Sequence, residues 1–87
     1  MTRLLDGAVD VDIGLAFGKV LRHRRKEAGL TQEQLAHEAD VQRNYVSLIE
    51  RGIHYPTIAV LFKLANGLGC QPSDMILDLE RMLSRPR

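Results

Sequence analysis

Apolar residues recur along the chain at steps of three and four, interrupted by glycine, proline or a capping polar residue, a pattern that predicts five helices and no strand. Ile13, Phe17, Val20, Leu21 and Ala28 give a first helix over 13–28 that ends at Gly29, with Leu30 filling the gap behind it. Thr31 opens the second helix with a capping box, its hydroxyl facing the backbone near Gln34 while Gln34 reaches back. Leu35 and Ala39, four apart, share that helix's inner face, and the small Ala36 lets a neighbouring backbone approach. Asp40 and Val41 form a turn, Val41 plugging the corner. A third helix over 42–51 turns Val46 and Ile49 inward and stops at Gly52. A loop over 53–56 follows, where Pro56 discourages helix before it. Thr57 caps a fourth helix with Ile58, Leu61, Leu64, Ala65 and Leu68 as inner positions, ending at Gly69. Gly67 inside it costs up to about 1 kcal/mol relative to alanine. Pro72 suits the first turn of a fifth helix, with Ser73 and Asp74 at its positive end and Arg81, Arg85 and Arg87 towards the other. That helix carries Met75, Ile76, Leu79, Met82 and Leu83. Residues 1–12 mix apolar and acidic residues without a period and read as an N-terminal arm; residues 13–87 read as one all-α domain.

The stretch from Gln32 to Arg51, QEQLAHEADVQRNYVSLIER, places two short helices at a fixed angle around the Asp40–Val41 corner, which is helix-turn-helix geometry. With the flanking AGLT and ERG it resembles the helix-turn-helix of the phage repressor and Cro family, the xenobiotic-response-element type, from about Phe17 to Ile76. One departure is Asp40, at a turn position where that family often has glycine; aspartate tolerates a left-handed backbone better than most residues. The resemblance implies a compact five-helix fold like that of lambda repressor and a transcriptional regulator that binds double-stranded operator DNA. The short length and the tract RNYVSLIERG resemble the controller proteins of restriction-modification systems in particular.

Composition narrows the class. The 87 residues make one domain with a modest core. Hydrophobic content of 45% and charged content of 26% are ordinary for a soluble protein, and no apolar run approaches the roughly 18 residues of a membrane span. The first twelve residues lack a secretory apolar core and carry three acids, so a cytoplasmic location is expected. The net charge of +1 conceals a segregation: the acids of residues 1–12 contrast with KVLRHRRK at 19–26, five bases in eight residues. Cys70 is the single cysteine, expected as an apolar filler between helices, and it excludes an internal disulfide. His23, His37 and His54 are scattered, no Gly-rich phosphate loop is present, and Asp74, Asp78 and Glu80 face no evident pocket, so neither an enzyme, a metal nor a cofactor is expected.

Candidate chemistry centres on the third helix. With Val46 and Ile49 inward, Gln42, Arg43, Asn44, Tyr45, Ser47, Leu48 and Arg51 face outward. Arginine pairs bidentately with guanine and asparagine with adenine; Leu48 has only a thymine methyl to touch. The resemblance assigns base reading to Arg43, Asn44, Ser47 and Leu48, and a phosphate contact that also braces the recognition helix to Gln32. Thr31 shares the positive end of the second helix, a suitable phosphate seat. Tyr45 suits either a DNA contact or packing, and Arg51 and His54 lie where the family grips the backbone. Arg25 and Glu50 occupy positions that make a buried ion pair in the family, whereas Arg22, Arg24 and Lys26 read as a solvated basic face. A homodimer on paired half-sites is expected, with Leu79, Met82 and Leu83 as the interface, joined by Met75 and Ile76 or else absorbed by the monomer core. An alternative class is an antitoxin or adaptor whose main partner is a protein. No small-molecule ligand and no membrane partner is expected.

Overall fold

The computed structural model describes residues 9–84, with side chains from Ile13 onward. Five helices follow one another in it: α1 (Val9–Glu27), α2 (Gln32–Ala39), α3 (Arg43–Glu50), α4 (Ile58–Leu68) and α5 (Pro72–Leu83), with no strand among the described residues. The expected arm over 1–12 differs in part: α1 starts at Val9, four residues before its packed apolar face begins, and residues 1–8 lie outside the described part. Once a helix is nucleated, each further residue needs only one more hydrogen bond. Its backbone therefore outruns the apolar period from which its start was inferred.

Local chemistry sets the boundaries. At α2 the Gln34 N–H donates to Thr31 Oγ1 at 3.0 Å and the Thr31 N–H donates to Gln34 Oε1 at 2.8 Å, a complete capping box. Asp40 ends α2 at φ 58°, ψ 48°, the one non-glycine residue with positive φ among those described. That left-handed step ends α2 and turns the chain towards α3. Thr57 Oγ1 accepts the Val60 N–H at 3.1 Å to start α4. The α5 start is held by Asp74, whose carboxylate accepts the Gln71 N–H at 3.0 Å.

All five helices feed one core. Leu21, Leu35, Val46, Ile49, Leu64 and Met75 are completely enclosed, joined by Phe17, Val20, Ala36, Ala39, Leu61 and Ala65. Each large member contributes about 1.5–3 kcal/mol by leaving water. Two glycines permit the close contacts. A Cβ on Gly18 would lie 2.5 Å from the Glu50 carbonyl oxygen and 2.6 Å from that of Ile49, so α1 presses directly on the backbone of α3. A Cβ on Gly67 would lie 3.0 Å from the Ala39 nitrogen, which explains why α4 carries the helix-weakening residue: α2 needs the space.

Several expectations need correction. Ile58, assigned to the core, is 72% exposed, because α4 buries Leu61, Leu64 and Ala65 while its first turn lines an open groove. Met75 belongs wholly to the monomer core and is closed to any partner. Ala28 is exposed in the turn after α1. Arg24 is no solvated base: its Nε donates to Asp78 at 2.6 Å and ties α1 to α5. That hydrogen bond holds its guanidinium above the ordinary arginine value. Cys70 is half-buried against the core, and burial pushes its thiol up.

Candidate nucleic-acid interface

Eight residues are too few for a helix to persist alone in water, and α3 has no side-chain cap at Gln42. Its direction is imposed by what it packs on. Val46 and Ile49 enter the core, and the opposite side presents Gln42, Arg43, Asn44 and Arg51 exposed with Tyr45, Ser47 and Leu48 half-buried. Gln42 and Arg51 are the flanking cap residues of α3, a helix one residue shorter at each end than the expected 42–51.

A hydrogen-bonded cluster fixes the far end of α3. Arg25 Nε donates to Glu50 Oε2 at 2.6 Å, Nη2 to Oε1 at 3.0 Å, and Nη1 to the Leu30 carbonyl at 2.8 Å. The Arg25 and Glu50 side chains are 8% and 2% exposed. Gln32 Nε2 adds a third donor to the Glu50 carboxylate at 3.1 Å. The planar fork of arginine fits a carboxylate in two parallel bonds, so this pair holds an orientation as well as a charge. One cluster therefore locks the end of α1, the connection to α2, the start of α2 and the end of α3.

The other candidate residues fall around this face. Thr31 is exposed beside Gln32; its oxygen accepts in the capping box, leaving the hydroxyl proton to donate to a phosphate. The Tyr45 ring packs on the edge of the core and meets the His54 ring edge-on, centroids 5.9 Å apart at 71°. His54 is itself held by its N–H to the Leu48 carbonyl. No acid lies in the first turn of α3, and Glu50 is neutralised internally, so the outward face carries positive charge from Arg43 and Arg51. Of the five bases at 19–26, Arg24 and Arg25 are committed to ion pairs, leaving Lys19, Arg22 and Lys26 exposed.

Apolar surface stays exposed on α5, at Ile76, Leu77 and Met82, and on Leu15 beside Met82 and Leu83, and also on α4 and the loop before it. Leu79 packs on the monomer's own core, Leu83 is half-buried and Met82 is 37% exposed. Ile53, Tyr55, Ile58 and Phe62 are each more than half exposed, and Ile76 is 39% exposed. An apolar groove of about 180 Å³ lies among Phe17, Tyr55, Ile58, Leu61, Ile76 and Leu79. The sequence did carry a signal for this patch: in IAVLFKLANGL the helix is apolar nearly all round, a composition that calls for cover on a second side. Among the described residues no helix is long and apolar enough to cross a membrane, and no three potential metal ligands cluster.

Comparison with known proteins agrees with this geometry. A helix-turn-helix family model matches residues 21–75. The chain is 38% identical over 66 residues to control protein C.BamHI of Bacillus amyloliquefaciens, spanning 75% of this chain and 82% of that protein. It is 38% identical over 71 residues to control protein C.MunI of a Mycoplasma species, spanning 80% of this chain and 96% of that one. The crystal structure of the restriction-modification controller protein C.AhdI from Aeromonas hydrophila superposes with a TM-score of 0.70 at 36% identity, covering 74% of this chain and 96% of that chain.

Proposed function

The chain belongs to the helix-turn-helix family of transcriptional regulators, of the Cro and phage-repressor type, and from that premise we propose how it reads DNA and what it controls. Two copies bind a double-stranded operator with α3 of each in the major groove, at half-sites about one helical turn apart. Arg43 pairs with guanine, Asn44 with adenine, and Ser47 adds a weaker contact. Thr31, Gln42 and Arg51 hold phosphates and set the register. Gln32 acts through Glu50 as a brace, and Tyr45 supports the helix from the side of His54. The observation that carries this reading is the division of α3: Val46 and Ile49 enter the core, Glu50 is held inward by Arg25 and Gln32, which fixes the helix, and the remaining residues face outward free of acid.

The pairing face is apolar: Ile58 and Ile76 share one groove and Phe62, on α4, is 58% exposed, while Met82 and Leu83 of α5 lie beside the exposed Leu15. The likeness to C.BamHI, C.MunI and C.AhdI supports a controller of restriction-modification genes, whose own concentration sets operator occupancy through dimerisation. Selection of bound fragments from random DNA at stated salt tests the reading. One palindromic sequence should emerge, and Arg43→Ala should weaken it by about 1–3 kcal/mol and relax one base pair per half-site. Equal loss on all DNA would make Arg43 a phosphate contact only. Phe62→Glu should give monomers in sedimentation at micromolar concentration; an intact dimer would move the interface off this face.

A further inference from the structure

Arg24 and Arg25 are successive residues near the end of α1, about 100° apart around its axis, and each is committed to a different helix. Arg25 holds Glu50 of α3, while Arg24 holds Asp78 of α5 through a hydrogen bond of 2.6 Å. That second bond joins residues 54 apart in the chain, with side chains 28% and 30% exposed. Asp74 also lies near Arg24, but its carboxylate accepts the Gln71 N–H at the start of α5. The helix needs a tie of this kind. Met75 is the one enclosed side chain of α5, Leu79 packs at the edge of the core, and no described residue after it is fully enclosed. Open grooves bordered by both helices flank the stretch beyond Asp78. One of about 240 Å³ is lined on the α1 side by Val20, His23, Arg24 and Glu27, another of about 280 Å³ by Leu15, Ala16 and Lys19, and Met82 borders both.

α5 carries Ile76, Met82 and Leu83 of the pairing face, so its angle on α1 decides where a partner copy sits. α3 decides where each copy meets DNA. The end of α1 therefore joins the surface that pairs to the surface that reads, one arginine to each. We propose that Arg24, through Asp78, is a positioning residue: it sets the angle of α5 against α3 and thereby the half-site spacing that the dimer accepts. Neither group touches DNA in this role. A swing of α5 displaces the partner's recognition helix along and around the duplex, and two extra base pairs between half-sites move them apart by about 7 Å and turn them by about 70°. This deepens the dimeric operator reading above and rests on it.

The test is a spacing series. The operator selected with the full chain is resynthesised with one or two base pairs inserted or removed at its centre, both half-sites unchanged. The wild-type chain should prefer one spacing. Asp78→Asn, which keeps the shape of the side chain and loses its charge, and Arg24→Met should each lower the ratio between the best spacing and its neighbours by about two- to fivefold, the range of a partly exposed pair. Their Arg43-dependent base preference within a half-site should stay as in wild type, which shows that the variants are folded and docked. If Arg24→Met fails to fold, the milder Asp78→Asn carries the test. A pair that only stabilises the monomer would weaken binding by one factor at every spacing. That result, an unchanged ratio, or a wild type indifferent to spacing overturns the proposal while leaving base reading by α3 standing. A wild-type chain that is monomeric both in free solution and on the operator overturns the dimeric reading itself, and this inference with it.

Discussion

Removing the Glu50 carboxylate should uncouple the recognition helix from its scaffold. In Glu50→Ala the Arg25 guanidinium loses two of its three acceptors, keeping only the Leu30 carbonyl, and Gln32 loses its partner. Water does not replace them readily where the two side chains are 8% and 2% exposed. A buried charge left without its partner costs about 3–5 kcal/mol. Against a total stability of roughly 4–13 kcal/mol for a domain of this length, that takes a large share. Replacing both residues, as Arg25→Met with Glu50→Met, removes the stranded charge and fills similar space, so the double variant should recover most of the loss. Urea unfolding followed by far-ultraviolet circular dichroism at one fixed chain concentration measures this, the chain having no tryptophan. Operator binding at a temperature where the double variant is folded then isolates orientation from stability: it should remain weaker than wild type, since nothing holds Gln32 to α3. A loss below about 1 kcal/mol in Glu50→Ala, the range of exposed pairs, would refute the reasoning. So would a double variant no more stable than the sum of the single changes requires.

Two further outcomes follow from packing. Gly18→Ala should destabilise despite a gain of about 1 kcal/mol in helix propensity, because the new methyl would sit 2.5 Å from the Glu50 carbonyl oxygen and overpacking costs about 1–3 kcal/mol; a raised thermal midpoint would show that α1 and α3 have room between them. Cys70 should react with iodoacetamide more slowly at neutral pH than an unhindered thiol and gain rate only at higher pH, since burial raises its pKa and lowers its thiolate fraction; a rate equal to free cysteine would contradict that environment.

The features written in short stretches of chain were the legible ones. The Thr31–Gln34 box, the left-handed Asp40 turn and the inward pairs Leu35–Ala39 and Val46–Ile49 each depend on residues within a few positions of one another. Ile58 and Arg24 were misplaced for one common reason: periodicity gives a side chain's direction, and what stands opposite is set elsewhere in the chain. Ile58 follows the spacing of Leu61 and Leu64 yet points past the edge of the core, and Arg24 meets an aspartate 54 residues away. At the interface, the outward identity of Arg43, Asn44 and Ser47 was legible from the inward pair, while the three donors on the Glu50 carboxylate needed the arrangement of α1, α2 and α3 to appear. The apolar groove of α4 went unread because Ile58, which lines it, had been assigned to the core.

The same long-range contacts explain why so short a helix can discriminate among sequences. A helix of eight residues without a side-chain cap has little structure of its own, so a loosely docked α3 would present Arg43 and Asn44 over a range of tilts. Bidentate base contacts tolerate little misplacement, and selectivity would fall before affinity for phosphate did, since phosphate attraction is long-ranged. Three constraints remove that freedom: Val46 and Ile49 fix the helix's rotation, the close α1 backbone at Gly18 fixes its distance, and Glu50 under Arg25 and Gln32 pins its end. None of the three touches a base in the proposed complex. Loosening any one of them should therefore flatten the difference between operator and random DNA more than it lowers binding to random DNA, a signature opposite to that of losing Lys19, Arg22 or Lys26 from the exposed basic side of α1.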